Sequence, residues 1–382
     1  MTRKTKFVII FFMFLTFFTV LEMNIVLPLA PSIAKLYSIP LANISLLNLG
    51  YSLAGLFAPV FGYFSDRYHI KWVLLASLIL FCAGCLMMVL GKGVFTFVAA
   101  RSVIGLSYYA IVGLTASYTA GAVSEEKIGY VGGWYKLAFG MGIVISPMLG
   151  AFMMETFGFS AIYIFLLFAG ILGAIGVFFL ESIEEKSEKI TLQEVRSLLK
   201  ESKVKVYVLI TFALSVPAVL FYNYYSIHLE TLGFHQIEIG EMYTYVSAGS
   251  VIAAILIILW SEKIGKLKMA IFGLLLCVVF MLPLALGQKI ILVLSSIFFG
   301  IGYDMIWGLH FPLSSLIYKR GNSTFLTILS LSMAVTNVVT NVTAPLIFGK
   351  GGFSFNIFIS FLALLLTLVL YLWENKAELK KK

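Results

Sequence analysis

The feature that most constrains this chain is the spacing of its charges. Asp, Glu, Lys and Arg are nearly absent from twelve long stretches, near 7–29, 43–64, 72–90, 94–116, 130–153, 159–180, 205–228, 240–261, 268–287, 290–313, 324–347 and 353–373. A bilayer core of roughly 30 Å is crossed by about 20 helical residues, so each stretch can span it. The runs do not alternate apolar with polar residues, which points to helices rather than barrel strands, the two forms that satisfy every backbone group in lipid. Composition agrees, with 61% hydrophobic and 12% charged residues and a mean hydropathy of +1.02. A soluble domain carries about 25% charged residues and has too little interior to hide this much apolar surface. Disorder and disulfide frameworks fail on the same grounds. The sequence predicts an all-α integral membrane protein of twelve transmembrane helices.

Basic residues assign the sides. Twenty-one of the 27 Lys and Arg fall on the side of the N-terminus, and Lys35, Lys92, Lys289 and Lys350 fall on the other. Both termini are therefore expected in the cytoplasm of a multi-pass cell-membrane protein. Arg3, Lys4 and Lys6 precede an apolar run as in a signal peptide. That run is too long, holds Glu22 and lacks a small-residue cleavage site, so an uncleaved first helix is expected. The net charge of +9 is a topology signal that suits anionic lipid headgroups. It calls for no nucleic acid partner.

Six spans, a polar break and six more spans divide the chain into bundles at 1–180 and 204–382. The linker at 181–203 carries 11 charges in 23 residues. Thr191 and Glu194 there form a capping-box pattern, and Leu192, Val195, Leu198 and Leu199 share one face, which predicts a short amphipathic helix along the membrane. The two halves also repeat. Gly105 and Tyr108 match Gly300 and Tyr303, and Gly113 matches Gly308, each at an offset of 195. Ser65-Asp66-Arg67 matches Ser261-Glu262-Lys263, and Ser146-Pro147 matches Ala344-Pro345, at nearly the same offset. Duplicated six-helix bundles around a midplane cavity are the construction of alternating-access transporters.

Several motifs carry a family resemblance. Between the second and third spans stand Gly62, Asp66, Arg67 and Lys71, with His69 and Ile70 between the last two. This resembles the G-x-x-x-D-R-x-G-R-K/R loop of the major facilitator superfamily, with His69 and Ile70 in place of a glycine and an arginine. The resemblance implies that this loop gates movement between the halves. Asp66 suits a helix end, and Arg67 and Lys71 suit lipid headgroups. Arg101-x-x-x-Gly105 in the fourth span resembles the proton-linked motif of that family. Gly142-x-x-x-Ser146-Pro147-x-x-Gly150 in the fifth span is similar to the G-x-x-x-G-P-x-x-G motif of its drug:proton antiporter branch, with Ser146 for a glycine. Gly142, Ser146 and Gly150 lie on one stripe that admits a close neighbour, and Ala248, Gly249, Ala253 and Ala254 in the eighth span offer a small facing surface.

Ionisable groups inside a membrane mark pathways or relays by default. Glu22 lies about 22 Å from the inner boundary, and Arg101 about 10 Å from the outer one. The matched depth, with both helices lining the cavity in the resembled family, implies a Glu22–Arg101 ion pair. A proton on Glu22 would release Arg101, and a cationic substrate could compete for the same carboxylate. Asp304 shares a face with Gly300, Trp307 and Gly308 and is a further candidate for proton coupling. Lys136 suits snorkelling to the interface, and His310, near a helix end, suits a structural role. Tyr108, Tyr109, Tyr222, Tyr303 and Trp307 offer an aromatic lining for lipophilic cations, and Asn223 adds hydrogen-bonding capacity.

Cys82 and Cys85 form a C-x-x-C inside an apolar span with no acid or His nearby, so no metal is expected. No cofactor is implied, no phosphate-binding loop occurs, and no soluble stretch could house a catalytic domain, so an enzyme is not expected. The expected protein is a monomeric secondary transporter that exchanges protons for small amphipathic or cationic molecules by alternating access. Its partners are then a small-molecule substrate, protons and membrane lipids. The alternatives are a proton-linked importer or sugar/metabolite efflux carrier on the same fold, and a non-transporting membrane sensor.

Overall fold

Apolar runs without water must satisfy their own backbone, and among the described residues they do so as helices. The computed structural model describes residues 3–57, 60–61, 64, 69–122, 125–181, 200–315 and 322–376. The helices are α1 (Arg3–Ile25), α2 (Ala30–Tyr37), α3 (Leu49–Ala54), α4 (Ile70–Leu90), α5 (Val94–Ala122), α6 (Glu125–Phe157) and α7 (Phe159–Val177). There follow α8 (Ser202–Leu220), α9 (Tyr225–Thr231), α10 (Gln236–Ile264), α11 (Lys266–Met281), α12 (Lys289–Ser315) and α13 (Asn322–Glu374). One residue suffices to join α6 to α7 because Gly158 takes φ +82, a conformation open to glycine.

Two compact units result. The first comprises Met1–Ile39 with Leu46–Glu188, and the second Pro40–Ser45 with Lys189–Lys382. Residues 182–199, which hold the expected linker helix, lie outside the described residues.

Ten helices are long and apolar enough to cross a membrane, and the pair Ala30–Tyr37 with Leu41–Phe57, bent by 99°, makes an eleventh candidate. The longest, α13, contains an apolar stretch of 47 residues, Ile328–Glu374. That is about 70 Å of helix, more than twice a bilayer core. Gly352, at φ 61, breaks it into two crossings. Counted this way, the described residues offer up to twelve candidate crossings.

The second span departs from expectation. The sequence predicts one helix over 43–64, whereas the chain runs as a 3-10 helix at Leu41–Asn48, then α3, then a 3-10 turn at Gly55–Phe57. Pro40 disfavours a helical Ile39, and Ser38 at φ 53 completes the bend. The predicted first loop is also partly helical, as α2.

The units repeat one packing scheme. In the first, α1 packs on α6, α3 on α5, and α4 on α5 and α7. In the second, α8 packs on α13, α10 on α12, and α11 on α12 and α13. A Cβ added to Gly105 would lie 2.9 Å from Tyr51 Cα, and one added to Gly300 would lie 2.1 Å from Val246 O. Both partners of this contact are shifted by the same offset as the sequence repeat.

The small stripe of α6 has a different neighbour from the expected one. A Cβ at Gly142 would meet Phe17 O at 3.0 Å, and one at Gly150 would meet Ile25 O at 2.7 Å, both on α1. Gly249, in α10, is closed instead against Ile297 O of α12 at 2.4 Å. Each small surface is thus consumed inside its own unit. Ser146 and Pro147 are buried in the same α6 seam, and the Ser146 hydroxyl donates back to Ile143 O at 3.2 Å.

Candidate functional site

Each unit carries one candidate site built around a carboxylate. In the first, Glu22 of α1 and Arg101 of α5 are 0% and 2% exposed. Arg101 Nη1 donates to Glu22 Oε1, and Nη2 donates to Asn48 Oδ1 at 3.2 Å. The guanidinium carbon stands 4.3 Å from the ring centre of Tyr51, a cation–π contact. Tyr108 and Tyr109 extend this wall, with ring centres 5.8 and 6.0 Å from Tyr51. Pairing in this buried setting makes both charges tolerable.

In the second unit, Asp304 of α12 is half-buried and accepts a hydrogen bond from Ser250 Oγ of α10. Neighbouring rings form a row. Tyr303 lies 6.2 Å from Tyr222 and 6.3 Å from Trp307, and its hydroxyl donates to Leu214 O at 3.0 Å. Asp304 has no ion-pair partner among the described residues. Asn223 is engaged elsewhere, its Nδ2 donating to Asn341 Oδ1 at 3.1 Å.

His310 is held on both sides. Thr211 Oγ1 lies 2.8 Å from Nε2 and Tyr371 OH 2.5 Å from Nδ1. The Thr211 hydroxyl itself donates to Tyr207 O at 2.8 Å, so Nε2 carries the proton and Nδ1 accepts from Tyr371. This is a buried histidine with both ring nitrogens hydrogen-bonded.

Of the expected gating loop, Gly62, Asp66 and Arg67 lie outside the described residues, as does the side chain of Lys136. Lys71 is described, and its ammonium meets the chain itself. Its Nζ donates to Phe178 O at 3.0 Å and Leu180 O at 2.7 Å. A cation there complements the carbonyl end of α7.

Sequence reasoning missed Asn48, Tyr51, Tyr163 and Ser250. They are uncharged residues of common types, and only their neighbours mark them. No group of three metal-ligating side chains occurs among the described residues.

The family profile described as Major Facilitator Superfamily matches residues 12–235 and 206–382. The chain belongs to this superfamily. That superfamily is one of multi-pass secondary transporters rather than of enzymes. Within the superfamily, the chain is 26% identical over 137 residues to Multidrug resistance protein 3 of Bacillus subtilis (strain 168), covering 35% of this chain and 26% of that protein. It thus spans about a quarter of that relative's length. It is 26% identical over 325 residues to Quinolone resistance protein NorA of Staphylococcus aureus (strain MSSA476), covering 80% of this chain and 79% of the relative. A crystal structure of a D-xylose-proton symporter shares the superfamily fold at a TM-score of 0.77 and 16% identity, covering 95% of this chain and 97% of that one.

Proposed function

We propose that this transporter exports small amphipathic or cationic molecules in exchange for protons, with both termini in the cytoplasm. The observation that carries the reading is the environment of Asp304. A carboxylate in a membrane interior beside Tyr222, Tyr303 and Trp307, steadied by neutral Ser250, needs a positive partner to stay ionised. A proton and a lipophilic cation both supply one, and the aromatic row favours the cation. Because the two compete for one carboxylate, binding of either promotes release of the other, which is the thermodynamic basis of exchange. Glu22 is a second proton acceptor, whose protonation frees Arg101. Similarity to two proteins named for drug resistance supports the substrate class, and the bias of basic residues toward the N-terminal side supports the orientation.

Reconstituted vesicles under an imposed pH gradient provide the test, with ethidium as the first of a panel of amphipathic cations. The wild type should drive ethidium against its own gradient. Asp304→Asn should lower that flux by about tenfold or more while the protein remains folded. If no member of the panel moves with the gradient in folded, inserted protein, the export reading is overturned.

A further inference from the structure

The pair Glu22–Arg101 leaves polar atoms without partners. Glu22 Oε2, Arg101 Nε, Tyr51 OH and Tyr163 OH are all buried, and none makes a hydrogen bond within the protein. Tyr163 belongs to α7 and is 0% exposed. The hydroxyls of Tyr51 and Tyr163 lie in the electrostatic field of both charges. Other titratable groups facing the carboxylate are Tyr108 from α5 and Cys85 from α4. Glu22 Oε2 and three further orphaned atoms are too many to leave dry, since a buried polar group without a partner is destabilising. A buried water with two to four such partners satisfies them.

The end of this unit away from the N-terminus is open to solvent. A cleft of about 550 Å³ is lined there by Tyr37, Lys92, Phe159 and Ser160 among others. Phe159 lines it beside Tyr37, with ring centres 6.4 Å apart. One turn deeper on α7, Tyr163 packs on Phe159 at 5.2 Å. Tyr163 thus packs on the cleft wall while its hydroxyl feels both charges of the ion pair. Lys92 at the mouth disfavours entry of a cationic substrate but not of water.

We propose that the first unit holds a built water site between Glu22 Oε2, Arg101 Nε and the hydroxyls of Tyr51 and Tyr163, supplied from this cleft. Tyr163 is then a positioning residue for proton transfer. A hydrated proton arriving at the site passes to Glu22 Oε2 and leaves a neutral water on Tyr163, while Arg101 keeps its own protons. The proposal deepens the proton-coupled reading and rests on it for its transport consequence, but the water site itself does not depend on any substrate.

Infrared difference spectra of the full protein in lipid, recorded across a pH titration, read the site directly. The Glu22 carboxyl band is assigned by its loss in Glu22→Gln. In the wild type, bound-water O–H bands should change together with that band. Tyr163→Phe keeps the ring and should abolish the water bands while lowering proton-driven ethidium flux by about tenfold, with KM for ethidium unchanged. As a second handle, Ser160→Cys modified with a bulky, membrane-impermeant thiol reagent should slow Glu22 protonation relative to the same variant unmodified. Water bands that persist in Tyr163→Phe, or protonation that ignores the plugged cleft, overturn the proposal. Loss of the water bands with no gradient-driven flux of any compound would instead sink export and leave the water site standing. Gradient-driven flux indifferent to Tyr163→Phe with persistent water bands would sink the site and leave export standing.

Discussion

Arg101 donates to Glu22 across the gap between α5 and α1, where neither side chain reaches solvent. Two opposite charges so placed depend on each other. Removing one strands the other in an apolar surrounding, and the cost exceeds the worth of the intact pair.

Arg101→Gln should therefore destabilise the protein by about 3–5 kcal/mol, and the double variant Glu22→Gln/Arg101→Gln by less than the sum of Glu22→Gln and Arg101→Gln. Thermal unfolding in detergent checks this through a double-mutant cycle. Additive effects would show that the pair contributes no coupling.

The duplicated glycine contact predicts parallel behaviour in the two units. Gly105→Val and Gly300→Val each drive a side chain into the backbone of the facing helix, at Tyr51 and Val246. Each should cost about 1–3 kcal/mol or more from overpacking. Gly113→Ala meets nothing within 4 Å and should leave stability unchanged. Folded yield and melting temperature distinguish the three.

Competition at Asp304 sets a pH dependence. Lowering the pH protonates the carboxylate and removes the charge that attracts a cation. Ethidium affinity should thus weaken as pH falls, approaching about tenfold per pH unit once the acid is mostly protonated. Asp304→Asn should bind weakly and without pH dependence over the same range. Equilibrium binding measured by fluorescence decides the matter, and an affinity that rises on acidification would exclude this competition.

Tyr371→Phe leaves His310 Nδ1 without its donor and should lower stability by about 1–3 kcal/mol. Transport normalised to folded protein should stay at the wild-type level, because the Thr211–His310–Tyr371 chain touches none of the rings beside Asp304 except Trp307, whose ring centre is 6.0 Å from that of His310. A selective loss of flux in this variant would place His310 in the transport pathway.

Much of the architecture was legible in the residues alone. Lipid has no hydrogen bonds to offer, so a long uncharged run must close its backbone internally and match the membrane in length. That rule anticipated most of the helices and the places where Glu22, Arg101, Asp304 and His310 stand out. The break at Gly352 falls between two runs already separated in the sequence. The 195-residue repeat likewise anticipated the matching contacts of Gly105 and Gly300.

Helical periodicity puts a residue on a face but does not say which helix that face meets. Tertiary structure therefore decided that Gly142 and Gly150 close on α1 and Gly249 on α12, and that Lys71 caps α7. It also brought Asn48, Tyr51 and Tyr163 to the Glu22–Arg101 pair and Ser250 to Asp304. These partners are short-range and directional, and they exist only once helices distant in sequence are packed side by side.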